Sequence, residues 1–168
     1  LSGVVVVVNA AGALQDGGGD SLERIHMDLV RNLTTGAAGL PVRIVQISAA
    51  GVTPEASTEF FRSKARGDAL LAQSGVDHVI LRPTLVLARE AYGGTALLRA
   101  AAAVPVLQPR LFPEAPVQTV ALDDVAAAVV CAAQGQVPNG TIADLTEKTV
   151  HSFAELTDKI RAWQGYSA

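Results

Sequence analysis

The sequence predicts an α/β protein built on a parallel sheet, and three observations carry that prediction. Short β-branched runs alternate with stretches of about 10–15 residues whose apolar positions recur at helical spacing, the pattern of βαβ units. Val4, Val5, Val6, Val7 and Val8 form a run apolar on both faces, as a strand covered by helices on both sides must be. The 168 residues are 49% hydrophobic and only 4% aromatic, so the apolar mass is Ala, Val and Leu, which suits helices packed closely on a sheet.

The elements follow in order. Five valines are stiff at χ1 and favour a pleated backbone, so residues 4–8 are the first strand. A strand of this kind is expected to have neighbours on either side. It stops at Asn9, Ala10, Ala11 and Gly12, and a glycine-rich loop, QDGGGD, follows. Leu22, Ile25, Leu29 and Leu33 then mark one face of a helix. Asp20 and Glu23 have capping-box spacing, while Gly36, Gly39 and Pro41 end the helix. VRIVQISAAG is the second strand, and residues 58–74 are the second helix, with Gly75 in the position just past its end. VDHVILRP is the third strand, closed by Pro83 because proline cannot donate to a ladder. A helix near TALLRAAAA comes next, then a short strand within APVQTVAL. That strand runs into a helix begun at Asp123 and Asp124, which serve as cap and first-turn acids. NGTIADLT is a last short strand, and SFAELTDKIRAW a closing helix with Phe153, Leu156 and Ile160 on one face. No repeat or linker divides the chain, so residues 1–168 are expected to form a single domain.

Composition excludes several functions. The net charge is −3 with no basic run, which argues against a nucleic-acid partner. The single Cys131 rules out an internal disulfide and a multi-thiolate zinc site, and His26, His78 and His151 lack ligand-like spacing, so no metal is expected. GGG at 17–19 lacks the Lys-Ser/Thr of a phosphate loop and reads as a flexible turn. No apolar stretch reaches the roughly 18 residues of a membrane span. With no secretory signal at residue 1 either, a cytoplasmic location is the expectation.

In open parallel sheets ligands bind beyond the carboxyl ends of the strands. The residues there are Asn9 to Gly12, Ser48, and Pro83, Thr84, Leu85 and Val86. Asn9, Ala10, Ala11 and Gly12 are small enough for close approach of a ligand, although an ordinary strand-to-loop turn explains them equally. Ser48 can face a ligand or satisfy the loop's own backbone. In EFFRSKARGD, Phe60 and Lys64 lie i and i+4 on one helix face. Lys64 there could bind a ribose hydroxyl or lower a neighbouring pKa, or stand as a solvated helix lysine. Arg82 fits a partnership with a carboxylate of the fold better than a substrate contact.

Taken together, VVVVVNAAG, VQISAAG, FFRSKARGDALLAQSGVDHVILRP and VQTVALDDVAAAV resemble the extended and atypical short-chain dehydrogenase/reductase families over nearly the whole chain. More narrowly they resemble the epimerase-like, NmrA-like branch that includes the 39 kDa accessory subunit of respiratory complex I. The resemblance implies a Rossmann-like doubly wound sheet in which the valine strand is the fourth. An upstream βαβαβ unit, absent from residues 1–168, would then bind the pyrophosphate, and the chain would be the C-terminal part of a longer polypeptide. It implies NAD or NADP as cofactor, with Asn9, Ala10, Ala11 and Gly12 lining the adenosine side and Lys64 bonding the nicotinamide ribose. Pro83, Thr84, Leu85 and Val86 would meet the nicotinamide end. Ser48, or Ala49 one residue on, would stand at the catalytic serine, so Lys64 and Ser48 are the candidate catalytic residues. Residues 90–116 and 137–168 would face an unknown small-molecule substrate or a protein partner, and a homo-oligomer is compatible with the family. The departure is Phe60, which occupies the tyrosine of the family's Tyr-x-x-x-Lys motif. A phenyl ring has no proton to accompany hydride transfer. An oxidoreductase with an impaired motif and a non-catalytic redox sensor or assembly subunit are therefore both open.

Overall fold

The computed structural model describes residues 1, 3–19, 21–91, 93–104 and 112–166. They form two compact units, Leu1–Pro83 with Asp124–Leu145, and Thr84–Asp123 with Thr146–Ala168.

The first unit carries a four-stranded, all-parallel sheet in the order β1-β2-β3-β7, from β1 (Val6–Asn9), β2 (Arg43–Ile47), β3 (Asp77–Pro83) and β7 (Thr141–Leu145). Side chains alternate across the pleat, and both faces of the two central strands are covered. On one face Ile44 and Ile80 pack with Val30, Ala37 and Leu71 of the helices α1 (Leu29–Ala37) and α2 (Glu59–Gln73). On the other, Val45, Val79 and Leu81 pack with Ala132 of α4 (Leu122–Ala133). This is the Rossmann-like α/β arrangement with helices on both sides of a parallel sheet.

Three local expectations are corrected. The valine run is only partly strand: Val4 and Val5 precede β1, and among the described residues β1 pairs with β2 alone. The chain adds β2, β3 and β7 on one side only, so β1 is the edge of the described sheet, with Val5 and Val8 71% and 45% exposed. The outer flank of β1, unpaired among the described residues, is the flank against which the resemblance sets the strands of an upstream unit. The first helix is not continuous α-helix either. A π-helical stretch, Arg24–Asp28, precedes α1, and at its centre the His26 carbonyl lies against Gly67 of α2. A Cβ at Gly67 would fall 2.1 Å from that oxygen, so only glycine allows this approach. Asp20 of the expected capping box lies outside the described residues, and the N–H of Leu22 is instead accepted by Asp16 Oδ1 at 2.7 Å. Finally, α4 starts at Leu122, which puts both Asp123 and Asp124 in its first turn.

The second helix matches its sequence signals closely. Thr58 accepts from the N–H of Phe61, and Gly75, just past the C-cap Ser74, has φ +74°.

In the second unit, β4 (Leu85–Leu87) pairs in parallel with β6 (Thr119–Ala121), and β5 (Pro116–Val117) pairs antiparallel with β8 (His151–Ser152). The single strand expected in APVQTVAL is thus two, divided at Gln118. Its carbonyl accepts from Leu85 N while its side-chain amide donates to Glu147 O. The helices α3 (Gly94–Ala102) and α5 (Phe153–Trp163) pack through Leu98, Ala102, Leu156 and Ile160. Ser152 and Glu155 form a reciprocal capping box at the start of α5.

Candidate functional site

The carboxyl ends of β1 and β2 open on a cleft of about 240 Å³ in the first unit, lined by Ala10, Ala11, Gly12, Ser48, Phe60 and Lys64 among others. Each lining group is fixed by its own local chemistry.

Asn9 ends β1 with its side chain buried. Its amide donates to Gln46 Oε1 at 2.8 Å, and its Oδ1 accepts from the N–H of Ala11 at 3.2 Å. Asn9 therefore shapes the turn that presents Ala10, Ala11 and Gly12, and its side chain is not among the groups lining the cleft. At Gly12 an added Cβ would come within 3.9 Å of both Lys64 Nζ and His26 Nε2, so the missing side chain leaves that approach open.

Lys64 is only 8% exposed. Its ammonium is 3.4 Å from the carbonyl of Ile47 and 5.6 Å from the centre of the Phe60 ring, on the same helix face. Burial lowers its pKa, and the carboxylate of Asp68, one turn further along α2, opposes that shift. The alternative of a solvated lysine is excluded by this burial.

Ser48 lines the cleft, but its hydroxyl donates to Asp68 Oδ2 at 2.8 Å. The same oxygen accepts from Arg82 Nε at 3.0 Å and Nη2 at 2.9 Å. Arg82 thus pairs with a carboxylate of the fold. Asp68 is 3% exposed, and its pKa is raised by burial against the opposing effects of Ser48 and Arg82. Its Oδ1 has no hydrogen-bond partner among the described residues.

His26 was not singled out by sequence and proves central. The N–H of Ala13 donates to Nε2 at 3.3 Å, so the ring proton belongs on Nδ1, which lies 2.8 Å from Ser63 Oγ. The Ser63 hydroxyl in turn donates to the carbonyl of Phe60 at 3.0 Å. Burial, then the charge of Lys64, pushes the His26 pKa down to about 4. A neutral imidazole therefore ties the loop after β1 to α2. No spacing in the sequence could reveal this, since its partners lie 13 and 37 residues away.

Phe60 has His26 edge-on at 5.7 Å and Phe61 at 5.1 Å between ring centres. It lines the cleft with a phenyl ring, which has no exchangeable proton.

Pro83 ends β3 in the first unit, where its carbonyl accepts from the N–H of Ala50 at 2.9 Å. Thr84, Leu85 and Val86 belong to the second unit. The structure thus gathers Ala10, Ala11, Gly12, Ser48 and Lys64 around one cleft. Among the described residues no group of three His, Cys, Asp or Glu side chains could hold a metal, and no helix is long and apolar enough to cross a membrane.

No family model matches the chain, and no curated protein matches it. Solved structures do. The enzyme WbmG of Bordetella bronchiseptica, solved with NAD and UDP, superposes with a TM-score of 0.77 at 20% identity over 97% of this chain and 57% of its own. A tyrosine-to-phenylalanine mutant of UDP-glucuronic acid 4-epimerase from Bacillus cereus, solved with UDP-4-deoxy-4-fluoro-glucuronic acid and NAD, gives 0.80 at 18% identity over 100% and 62%. The dTDP-glucose 4,6-dehydratase of Bacillus anthracis, solved with NAD, gives 0.77 at 15% identity over 98% and 58%. The likeness is one of fold, and the chain spans about 60% of the length of these neighbours.

Proposed function

We propose that this chain belongs to a nicotinamide-dinucleotide-binding protein of the short-chain dehydrogenase/epimerase type. NAD or NADP would lie across the carboxyl edge of the first unit's sheet. The observation that carries the reading is the buried Lys64 ammonium, held at a cleft floored by Ala10, Ala11 and Gly12. The residues fit the ribose end of a dinucleotide: the ammonium is a donor for ribose hydroxyls, and Gly12 leaves room for them. Asn9 holds the loop's shape, Ser48 contributes to the wall, and Pro83 closes β3 beside the loop that follows β2. The bound dinucleotide would supply the hydride chemistry, and the protein its orientation. The finer placement in the NmrA-like branch, with the 39 kDa accessory subunit of complex I, rests on the motif resemblance and is part of this proposal. So are the assignment of residues 90–116 and 137–168 to a substrate or partner and the possibility of a homo-oligomer.

Within this reading, binding without efficient turnover has specific support. Phe60 carries no proton, and the Ser48 hydroxyl is committed to Asp68. The test is calorimetric titration of NADH and NADPH into the native polypeptide that contains these residues, with turnover assays of wild type and Phe60→Tyr. Saturable binding with negligible turnover until the tyrosine is supplied supports the redox-sensor reading. Efficient wild-type turnover would make the protein an oxidoreductase with a different proton donor. Absence of binding would remove the proposal.

A further inference from the structure

The second unit holds a cleft of about 580 Å³, inside the range of roughly 300–1,000 Å³ in which small-molecule sites fall. Its walls are mainly apolar, from Leu87, Ala88, Leu156 and Ile160. At its rim stands Trp163, the one tryptophan of the chain, 63% exposed. Its indole offers an apolar face with a polar N–H at the edge of the cleft.

The charge of the lining runs against that of the molecule. Arg89, Arg99 and Lys159 face one carboxylate, Glu147, in a chain whose formal net charge is −3. The three cations are not equivalent. Arg99 is immobilised: its guanidinium donates to the carbonyls of Ala88 and Arg89 and stacks 4.7 Å from the Trp163 ring. Lys159 is exposed, its ammonium lies 3.3 Å from both ring nitrogens of His151, and among the described residues no carboxylate forms a direct ion pair with it. Behind the imidazole, Glu147 Oε1 is 3.6 Å from His151 Nε2 and also accepts from the Thr119 hydroxyl. Lys159 is thus the group positioned to take an anion, while Glu147 beside it makes a second negative charge on the ligand unfavourable.

We propose that this cleft binds a monocarboxylate with an apolar or aromatic body, the carboxylate on Lys159 and the body against Leu156, Ile160 and the Trp163 indole. A ligand with hydroxyls along its whole body suits the Leu87, Leu156 and Ile160 wall poorly, because a hydroxyl buried against those side chains loses water and gains no partner there. As a substrate site the assignment rests on the dinucleotide reading above; as a binding site it is measured apart from it.

The experiment titrates 4-phenylbutyrate and decanoate into the native polypeptide by calorimetry, with Trp163 emission followed in parallel and Trp163→Phe as its blank. The carboxamide of each acid and UDP-glucose are the comparison ligands. The expected result is saturable binding of at least one acid with a change in Trp163 emission, its amide and UDP-glucose binding at least about tenfold more weakly, a difference of about 1.4 kcal/mol. Lys159→Met, at an exposed position, should weaken the acid about tenfold and leave the amide unchanged. No binding of either acid, equal binding of acid and amide, tighter binding of UDP-glucose, or an acid affinity indifferent to Lys159→Met would each overturn the proposal. Because the dinucleotide titration is scored separately, failure here leaves the Lys64 reading standing, and loss of dinucleotide binding leaves this site standing as a binding site alone.

Discussion

The two units treat their polar groups in opposite ways. In the first, Ser48 and Arg82 are bonded to Asp68, and His26 to Ser63, behind the strand ends, and all but Arg82 are buried. In the second, Lys159, Glu147 and Trp163 line an open cleft, with Glu147 half-buried and the other two exposed. Buried polar networks are high-stakes, since a lost partner leaves an unsatisfied group, whereas half-exposed charges can be exchanged at small cost. The difference teaches where each unit keeps its freedom. The first holds a fixed scaffold around a small cleft, and the second leaves groups unfilled for something else to engage.

The contrast is broken most directly at Gly67. In Gly67→Ala the new methyl would meet the His26 carbonyl at 2.1 Å, a backbone atom that cannot step aside. A loss of about 3–4 kcal/mol is expected from forced separation of the two helices. Chemical denaturation reads it, and a loss under about 1 kcal/mol would show the approach to be looser than described.

The second prediction sharpens the contrast through pH. The folded-state pKa of His26, about 4, lies below its ordinary 6.5, so between these values the unfolded chain takes up a proton that the folded chain rejects. Stability attributable to His26 is therefore present in full above pH 6.5 and is lost as the pH falls toward 4, to a total of about 3 kcal/mol. Measured as wild type minus His26→Gln at each pH, the difference should decline across that window. A flat difference would contradict the buried neutral imidazole. Asp68 pulls the other way, since its raised pKa means that the folded state holds its proton longer, which is why the subtraction is needed.

The smallest effect belongs to the second unit. Ser152→Ala removes one half of the capping box at α5 and should cost about 1 kcal/mol. Because the cap is exposed, no buried group is stranded, and a loss several times larger would mean that the second unit is as tightly interlocked as the first.

What the sequence made legible was set by range. α2 could be read almost to the residue, because Thr58, the Phe60–Lys64 spacing and Gly75 are local signals with local causes. The parallel sheet followed from alternation of strand and helix patterns. Two things could not be read, both decided by distant residues. The π-helical stretch depends on the meeting of His26 with Gly67 across 41 positions of chain, about which local propensity says nothing. The commitment of Ser48 to Asp68 depends on a carboxylate 20 residues downstream. At the site, residue types at the strand ends were legible from topology, while their availability for chemistry was not. Lys64 proved buried at the cleft and Ser48 proved occupied, although both had the same standing as sequence.

The central claim, that a dinucleotide seats at the carboxyl edge of the first unit, is tested most directly by amide hydrogen exchange on the native polypeptide with and without saturating NADPH or NADH. Slowed exchange at residues 10–14, lost in Lys64→Met, is the predicted result. Unchanged exchange of that loop at a dinucleotide concentration that saturates binding, or no binding at all, would contradict it.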